Sequence, residues 1–265
     1  PKGEEAKAVM EAAFRCNVEP FFLGNGSNLL VSDKGYDGFA VKLDGTYSEG
    51  EVFSNELTAG GAMLLSRAAN LALEHGLTGL EWAAGIPGTV GGAVTMNAGA
   101  YGGEICQVLH QVCALGRDGG SHVVSNRDCD FAYRHSAFSD GQRLILEAVF
   151  LLEPGDPVAI KAKMAELAAQ RKEKQPLEYP SAGSTFKRPP AVDGKPVYAA
   201  ALIDQCGCKG LTVGGAQVSE KHAGFIVNKG GATCADILNL VEEVRKRVLD
   251  QTGVTLELEV RTLGV

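Results

Sequence analysis

Two stretches of the chain have the composition to hold an anion against bare backbone. They are GNGSN at 24–28 and GIPGTVGGAVTMNAGAYGGE at 85–104, the second with seven glycines and no charged residue before Glu104. Glycine reaches positive φ and has no Cβ, so successive N–H groups in such loops can converge on phosphate oxygens. In the first loop Asn25, Ser27 and Asn28 add neutral hydrogen-bonding groups around Gly26. Each loop alone is also what a tight turn requires. The pair, far apart in sequence and almost uncharged, points to one extended cofactor carrying a pyrophosphate. GNGSNL lacks the third glycine of G-x-G-x-x-G, and no G-x-x-x-x-G-K-[ST] occurs, so neither a Rossmann nor a P-loop assignment is available.

The rest of the composition limits the partners. With 265 residues, 45% hydrophobic and 22% charged, the chain is long enough for one large domain or two modest ones, and disorder is excluded. Its 25 Lys and Arg against 32 Asp and Glu give a net charge of −7, with no general attraction to nucleic acid or an anionic membrane. An anionic ligand must therefore be held locally. No apolar run reaches the length of a membrane span, and the opening PKGEEAKAVMEAAF is a charged helical pattern, not a secretory signal, so the expected compartment is the cytoplasm. The seven cysteines are an odd number with no Cys-x-x-Cys pair, and none of the five histidines has a partner at metal-ligand spacing. Buried thiols and no metal are expected.

The elements that must carry the two loops follow from periodicity and breakers. Residues 4–16 have helical character; PFFLGNGSNLLVS is strand, tight loop, strand; GYDGFAVKL and EVFSNELTAG continue as short strands. Leu64, Ala68, Leu71 and Ala72 fall on one helix face that Gly76 ends. CQVLHQVCAL and SHVVS flank GRDGG as a hairpin, and RLILEAVFLLEPG is a long apolar strand ended by Pro154 and Gly155. A boundary is expected at residues 153–157, giving units of 1–153 and 154–265. Beyond it, Asp156 and Pro157 open a helix carrying Ile160, Met164, Leu167 and Arg171, which stops before Pro176. A last helix starts at Thr233 with Asp236 three residues on, places Ile237, Val241, Val244 and Val248 on one stripe, and ends at Gly253. VTLELEVRTL is a closing strand with Leu256, Leu258 and Val260 on one face and Glu257, Glu259 and Arg261 on the other.

Six collinear segments spanning almost the whole chain resemble one family. FLGNGSNLLVSDKGYDGFAVKL, LEWAAGIPGTVGGAVTMNAGAYGGEI, YRHSAF, AGSTFKRP, LIDQCGCKGLTVGGAQVSEKHAGFIVN and LELEVR look like the UDP-N-acetylenolpyruvoylglucosamine reductases of peptidoglycan synthesis. The resemblance implies an α+β fold: an FAD-binding unit of the vanillyl-alcohol-oxidase (PCMH) type, then a smaller α+β substrate-binding unit whose last strand, about 256–265, returns to the active site. It implies a monomeric flavoenzyme in which NADPH donates a hydride to FAD and the enolpyruvyl group of a UDP-sugar is reduced, yielding UDP-N-acetylmuramate. Cell-wall biogenesis, cell shape and cell division would depend on it. The short spacing from YRHSAF to AGSTFKRP is similar to the compact class, which lacks an inserted substrate-covering loop. The family's opening stretch, with a Thr and a Gly-Gly-Pro turn, does not occur here, which implies an incomplete N-terminus.

Residue by residue, the resemblance makes Arg134 of YRHSAF the active-site arginine, a permanently charged planar group suited to a carboxylate that gains enolate character. It makes Glu259, the residue before Val-Arg in LELEVR, the partner in that polarisation, and Ser184 of AGSTFKRP the proton donor to carbon. Lys174 and Lys187 would meet the substrate's phosphates or carboxylate. For FAD, the implied neighbours are Asn25, Gly26, Ser27 and Asn28, then Gly85, Ile86, Pro87, Gly88, Gly92 and Ala93, with Asn97, Gly99 and Ala100 next along the segment. Two rivals stay open at this level: another flavin oxidase or dehydrogenase, which would not need Ser184 with Glu259, and a non-enzymatic nucleotide-binding module, which would need none of the three.

Overall fold

The computed structural model describes residues 3–191 and 194–265, which divide into two units. The first holds the chain as far as Asn25 together with Gly38–Gln170; the second holds Gly26–Asp37 and Arg171–Val265. This differs in two ways from a boundary at residues 153–157. The helix after that point stays with the first unit as far as Gln170 because Leu167 is buried in its core. Gly26–Asp37 belongs to the second because Leu29–Val31 pairs in parallel with Arg261–Leu263.

In the first unit a five-stranded antiparallel sheet runs in the order Ser121–Ser125, Leu109–Gly116, Arg143–Leu151, Glu56–Gly60, Gly50–Phe53. The hairpin expected around GRDGG is there, with Val123 opposite Cys113. Both faces of the sheet are covered. Helix α1 (Glu4–Arg15) lays Ala6 and Met10 on one face, against Leu115, Leu144 and Leu146. Helices α2 (Leu65–Glu74) and α3 (Val90–Thr95) cover the other, where Leu57, Ala59, Val112, Ala114, Ala148 and Phe150 are fully buried. A register shift between Ile145 and Glu147 lets one strand serve both faces: Leu144 and Leu146 turn to α1, Ala148 and Phe150 to α2 and α3. Helix α4 (Pro157–Lys174) starts as expected, with the Asp156 carboxylate accepting from the Val158 N–H at 3.0 Å.

The second unit packs α5 (Ala199–Gln205) and α6 (Cys234–Thr252) on the strands Thr212–Val213, Ala216–Val218 and Ile226–Asn228. The α6 stripe is buried through Leu240, Val241, Val244 and Val248, and Gly253 ends the helix at φ 73°. Thr233 and Asp236 form the expected capping box, and the Thr233 main chain and hydroxyl hold the Asp236 carboxyl below its ordinary pKa. Asp33, 201 residues upstream of Cys234, completes the cap: its carboxylate accepts from the N–H groups of Cys234 at 2.7 Å and Ala235 at 3.3 Å. Asp33→Ala is expected to lower stability by about 1 kcal/mol, the ordinary cost of a lost cap. An unchanged denaturation midpoint would remove that role.

The closing strand departs from expectation. Only Arg261–Leu263 forms a regular ladder, while residues 257–259 make an isolated bridge, Leu258 to Phe186. Leu256 is fully buried, as the alternation requires. The cysteines divide as well. Cys129, Cys206, Cys208 and Cys234 are buried, Cys106 and Cys113 are half-buried, and Cys16 is exposed because it follows the last residue of α1 at the surface. All are free thiols, and burial pushes Cys129 up to about 11. Among the described residues no helix is long and apolar enough to cross a membrane.

Candidate active site

The two glycine-rich loops meet. The Asn25 side-chain amide donates to the Pro87 carbonyl at 2.6 Å, and a Cβ on Gly24 would stand 2.8 Å from the Thr89 hydroxyl oxygen. Thr89 caps α3 by accepting from the Gly92 N–H, so its hydroxyl faces Gly24 and the helix together. Gly26 is left-handed at φ +69°, with open space where a Cβ would stand. Asn25, Gly26, Gly85 and Pro87 are exposed, while Ser27, Asn28, Ile86, Gly88 and Gly92 are half-buried.

Not every glycine of 85–104 is there for a ligand. A Cβ on Gly91 would stand 3.0 Å from the Gly61 carbonyl oxygen, and one on Gly103 would fall 2.1 Å from the Trp82 ring. Those two positions are glycine because the protein packs on itself. Ala93 is likewise buried in the core, so only its main chain can face a ligand. Asn97 is 1% exposed, and its side chain is engaged internally: it donates to Glu104 and to the Ala132 carbonyl, both at 3.1 Å, and accepts from the Cys106 N–H at 3.0 Å. These bonds tie the segment 97–106 to the turn after Phe131.

That turn carries Arg134. Ala132 and His135 exchange main-chain hydrogen bonds at 3.1 and 3.2 Å, leaving Tyr133 and Arg134 at the tip. Arg134 has φ +55°, a left-handed conformation that costs a non-glycine residue about 1 kcal/mol or more. Its guanidinium lies 5.0 Å from the Tyr133 ring centre and donates to the Gly99 carbonyl at 3.3 Å. Within the first unit, therefore, the arginine sits on the same glycine-rich segment that meets Asn25. Ala100 adjoins Gly99 in the short strand Gly99–Ala100, paired with Gly103–Glu104.

In the second unit Ser184 and Glu259 stand on adjoining segments. Gly183, at φ +80°, would place a Cβ 3.9 Å from the Ser27 carbonyl oxygen, and Ser184 follows it half-buried. Thr185 is held on three sides: its N–H donates to the Gly224 carbonyl at 2.8 Å, its carbonyl accepts from the Glu259 N–H at 2.9 Å, and its hydroxyl accepts from the Ile226 N–H at 3.1 Å. The two carboxylates of the last segment are separated by environment. Glu257 is exposed and paired with Lys187 at 3.3 Å, whereas Glu259 is half-buried. Lys174 ends α4 and is exposed. His222, which sequence patterns leave without a role, supports this region: its Nδ1 accepts from the Gly224 N–H at 3.2 Å, and burial lowers its pKa, which favours the neutral ring. Thr89 and Thr185 matter through residues far along the chain, Gly24 for the first and Gly224, Ile226 and Glu259 for the second, whereas His222 acts on Gly224, two residues on.

Two family models match the chain. One describes an FAD binding domain and covers residues 2–124; the other describes the C-terminal domain of UDP-N-acetylenolpyruvoylglucosamine reductase and covers 175–263. A UDP-N-acetylenolpyruvoylglucosamine reductase of Clostridium novyi is 48% identical over 264 residues, 98% of this chain and 83% of that protein. One from Caldanaerobacter subterraneus is 49% identical over 92% of this chain and 80% of its own length. Among solved structures, the Thermus caldophilus reductase superimposes with a TM-score of 0.82 at 37% identity, covering 98% of this chain and 89% of that one.

Proposed function

The chain belongs to the UDP-N-acetylenolpyruvoylglucosamine reductase family, and we propose that Arg134, Ser184 and Glu259 divide between them the work of that reduction. It is an NADPH-dependent flavoenzyme that converts UDP-N-acetylglucosamine enolpyruvate to UDP-N-acetylmuramate in the synthesis of peptidoglycan precursors, on which wall growth, cell shape and division depend. Its fold combines the FAD-binding domain with the family's C-terminal domain.

The residues present fit FAD. Among the described residues the main-chain N–H groups of Asn25, Gly26 and Ser27 find no acceptor, and the left-handed Gly26 leaves the approach to them open. We assign the pyrophosphate to the main chain of Asn25–Asn28, and the ring system to the segment through Gly85, Ile86, Pro87, Gly88, Gly92 and Ala93, continuing past Asn97 to Gly99 and Ala100. Bound there, FAD supplies the two-electron relay between NADPH and the sugar. Gly26→Val, forced out of the left-handed region, is expected to weaken FAD binding by about tenfold or more. Unchanged affinity on titration of the apoprotein would count against the loop.

Addition of a hydride to the methylene carbon of the enolpyruvyl group leaves negative charge on the carbon beside the carboxylate, delocalised into it. Arg134 is assigned to that carboxylate, where a fixed planar cation stabilises the charge as it develops. Glu259 shares a proton with the same oxygen system. The Ser184 hydroxyl delivers the proton to carbon and is recharged from solvent; a weak acid suffices because its partner is a strongly basic enolate. Lys174 and Lys187 complete the assignment as contacts for the substrate's phosphates or carboxylate; the exposed Lys187–Glu257 pair is weak enough to exchange for one.

The observation that carries the assignment is the hydrogen bond between the Glu259 N–H and the Thr185 carbonyl, which sets the segments of the acid and of the proton donor side by side. Product analysis tests it. NADPH oxidation should require the enolpyruvyl UDP-sugar and yield one lactyl ether per NADPH; oxidation that proceeds with oxygen alone would favour a different flavin enzyme. A monomeric enzyme of the cytoplasm belongs to the same proposal, checked by sedimentation and by cell fractionation.

A further inference from the structure

The segment that carries Glu259 changes partners at Glu259. Before it, the chain is antiparallel to 185–187: Leu258 faces Phe186, and the Lys187 N–H donates to the Glu257 carbonyl at 2.9 Å. After it, the chain is parallel to Leu29–Val31, and the Arg261 N–H donates to the Asn28 carbonyl at 3.0 Å. Had the antiparallel ladder continued, the Thr185 N–H would have returned a bond to the Glu259 carbonyl. That N–H goes instead to Gly224, at 2.8 Å. The Glu259 carbonyl takes its hydrogen from the Asn28 side-chain amide, 3.0 Å away.

We propose that Asn28 is a positioning residue for the reduction: its side chain supplies the donor that the ladder lacks at Glu259, and so fixes the main chain from which the carboxylate is aimed. The role differs from the one its loop suggests. Asn28 closes GNGSN, but its amide reaches the acid's strand, and its carbonyl anchors the parallel pairing that follows. One residue thereby joins both halves of the changeover. The inference rests on the role proposed above for Glu259.

The test is a four-protein cycle of the holoenzyme: the unaltered chain, Asn28→Ala, Glu259→Gln and the double variant, each at saturating FAD. Two rates are measured anaerobically, loss of flavin colour with NADPH and its return with UDP-N-acetylglucosamine enolpyruvate. Asn28→Ala should lower the ratio of return to loss by about 10- to 100-fold, the effect of misplacing a reacting group by an ångström or so. The double variant should be slower than Glu259→Gln by no more than about twofold, because residues acting as a unit are not additive. Asn28→Leu, of similar volume and without a donor, should behave as Asn28→Ala and replaces it should that variant not fold. An unchanged ratio, or losses that multiply in the double variant, overturns the positioning role while leaving Glu259 in place. If Glu259→Gln alone returns its colour at the original rate, the role of Glu259 fails and the inference goes with it.

Discussion

Ser184→Ala is expected to lose its flavin colour with NADPH at close to the original rate and to regain it with the enolpyruvyl UDP-sugar about 10²- to 10⁴-fold more slowly, the range for a positioned proton donor. The separation follows from how the residue is held. Thr185 is fixed by hydrogen bonds to Gly224, Ile226 and Glu259, so removing one hydroxyl next to it leaves the main chain where it was. What disappears is the acid. Ser184→Cys should recover part of the loss, since a thiol of similar size can also give up a proton. Equal slowing of both half-reactions in Ser184→Ala would mean that the serine shapes the fold and donates nothing.

Arg134→Gly is expected to reduce the same return of colour by about 10²- to 10³-fold, the usual cost of removing one preorganised charge partner from a developing oxyanion. Its stability should hold or rise. At φ +55° the arginine occupies the tip of the turn between Ala132 and His135 in a conformation natural to glycine, so the exchange relieves strain while deleting the charge. Arg134→Lys should recover the reaction only in part, because an ammonium lacks the planar fork. The measurement is the thermal midpoint beside the rate. A variant that loses stability and rate together would point to an arginine that serves the turn alone.

Much of this was legible locally. Caps and breakers announce α2, α4 and α6, since Gly76, Asp156, Thr233, Asp236 and Gly253 act on neighbours within a turn or two. The glycine loops were also readable as a composition, and they do meet, through Asn25 and Pro87. What sequence could not separate is the reason for each glycine: Gly91 and Gly103 answer to Gly61 and Trp82, which only the packed chain brings near. Asn97 resembles a ligand residue by position, yet its partners Glu104, Cys106 and Ala132 take up its side chain. The last strand misled for the same reason. Alternation in VTLELEVRTL reports which residues are buried, but not that the strand changes from Phe186 to Leu29 as its partner, a choice set by pairings with segments far along the chain. Alternation puts Glu257 and Glu259 on one face, and only the match to LELEVR separates them in sequence; in the structure Lys187 and the changeover make them different.

The most direct measurement is the visible spectrum of the purified protein, saturated with FAD and followed anaerobically through one equivalent of NADPH and then one of UDP-N-acetylglucosamine enolpyruvate. A yellow protein should bleach, recover its colour, and release one UDP-N-acetylmuramate per flavin. A protein that holds no FAD at saturation, or one whose colour returns only when oxygen is admitted, would contradict the assignment.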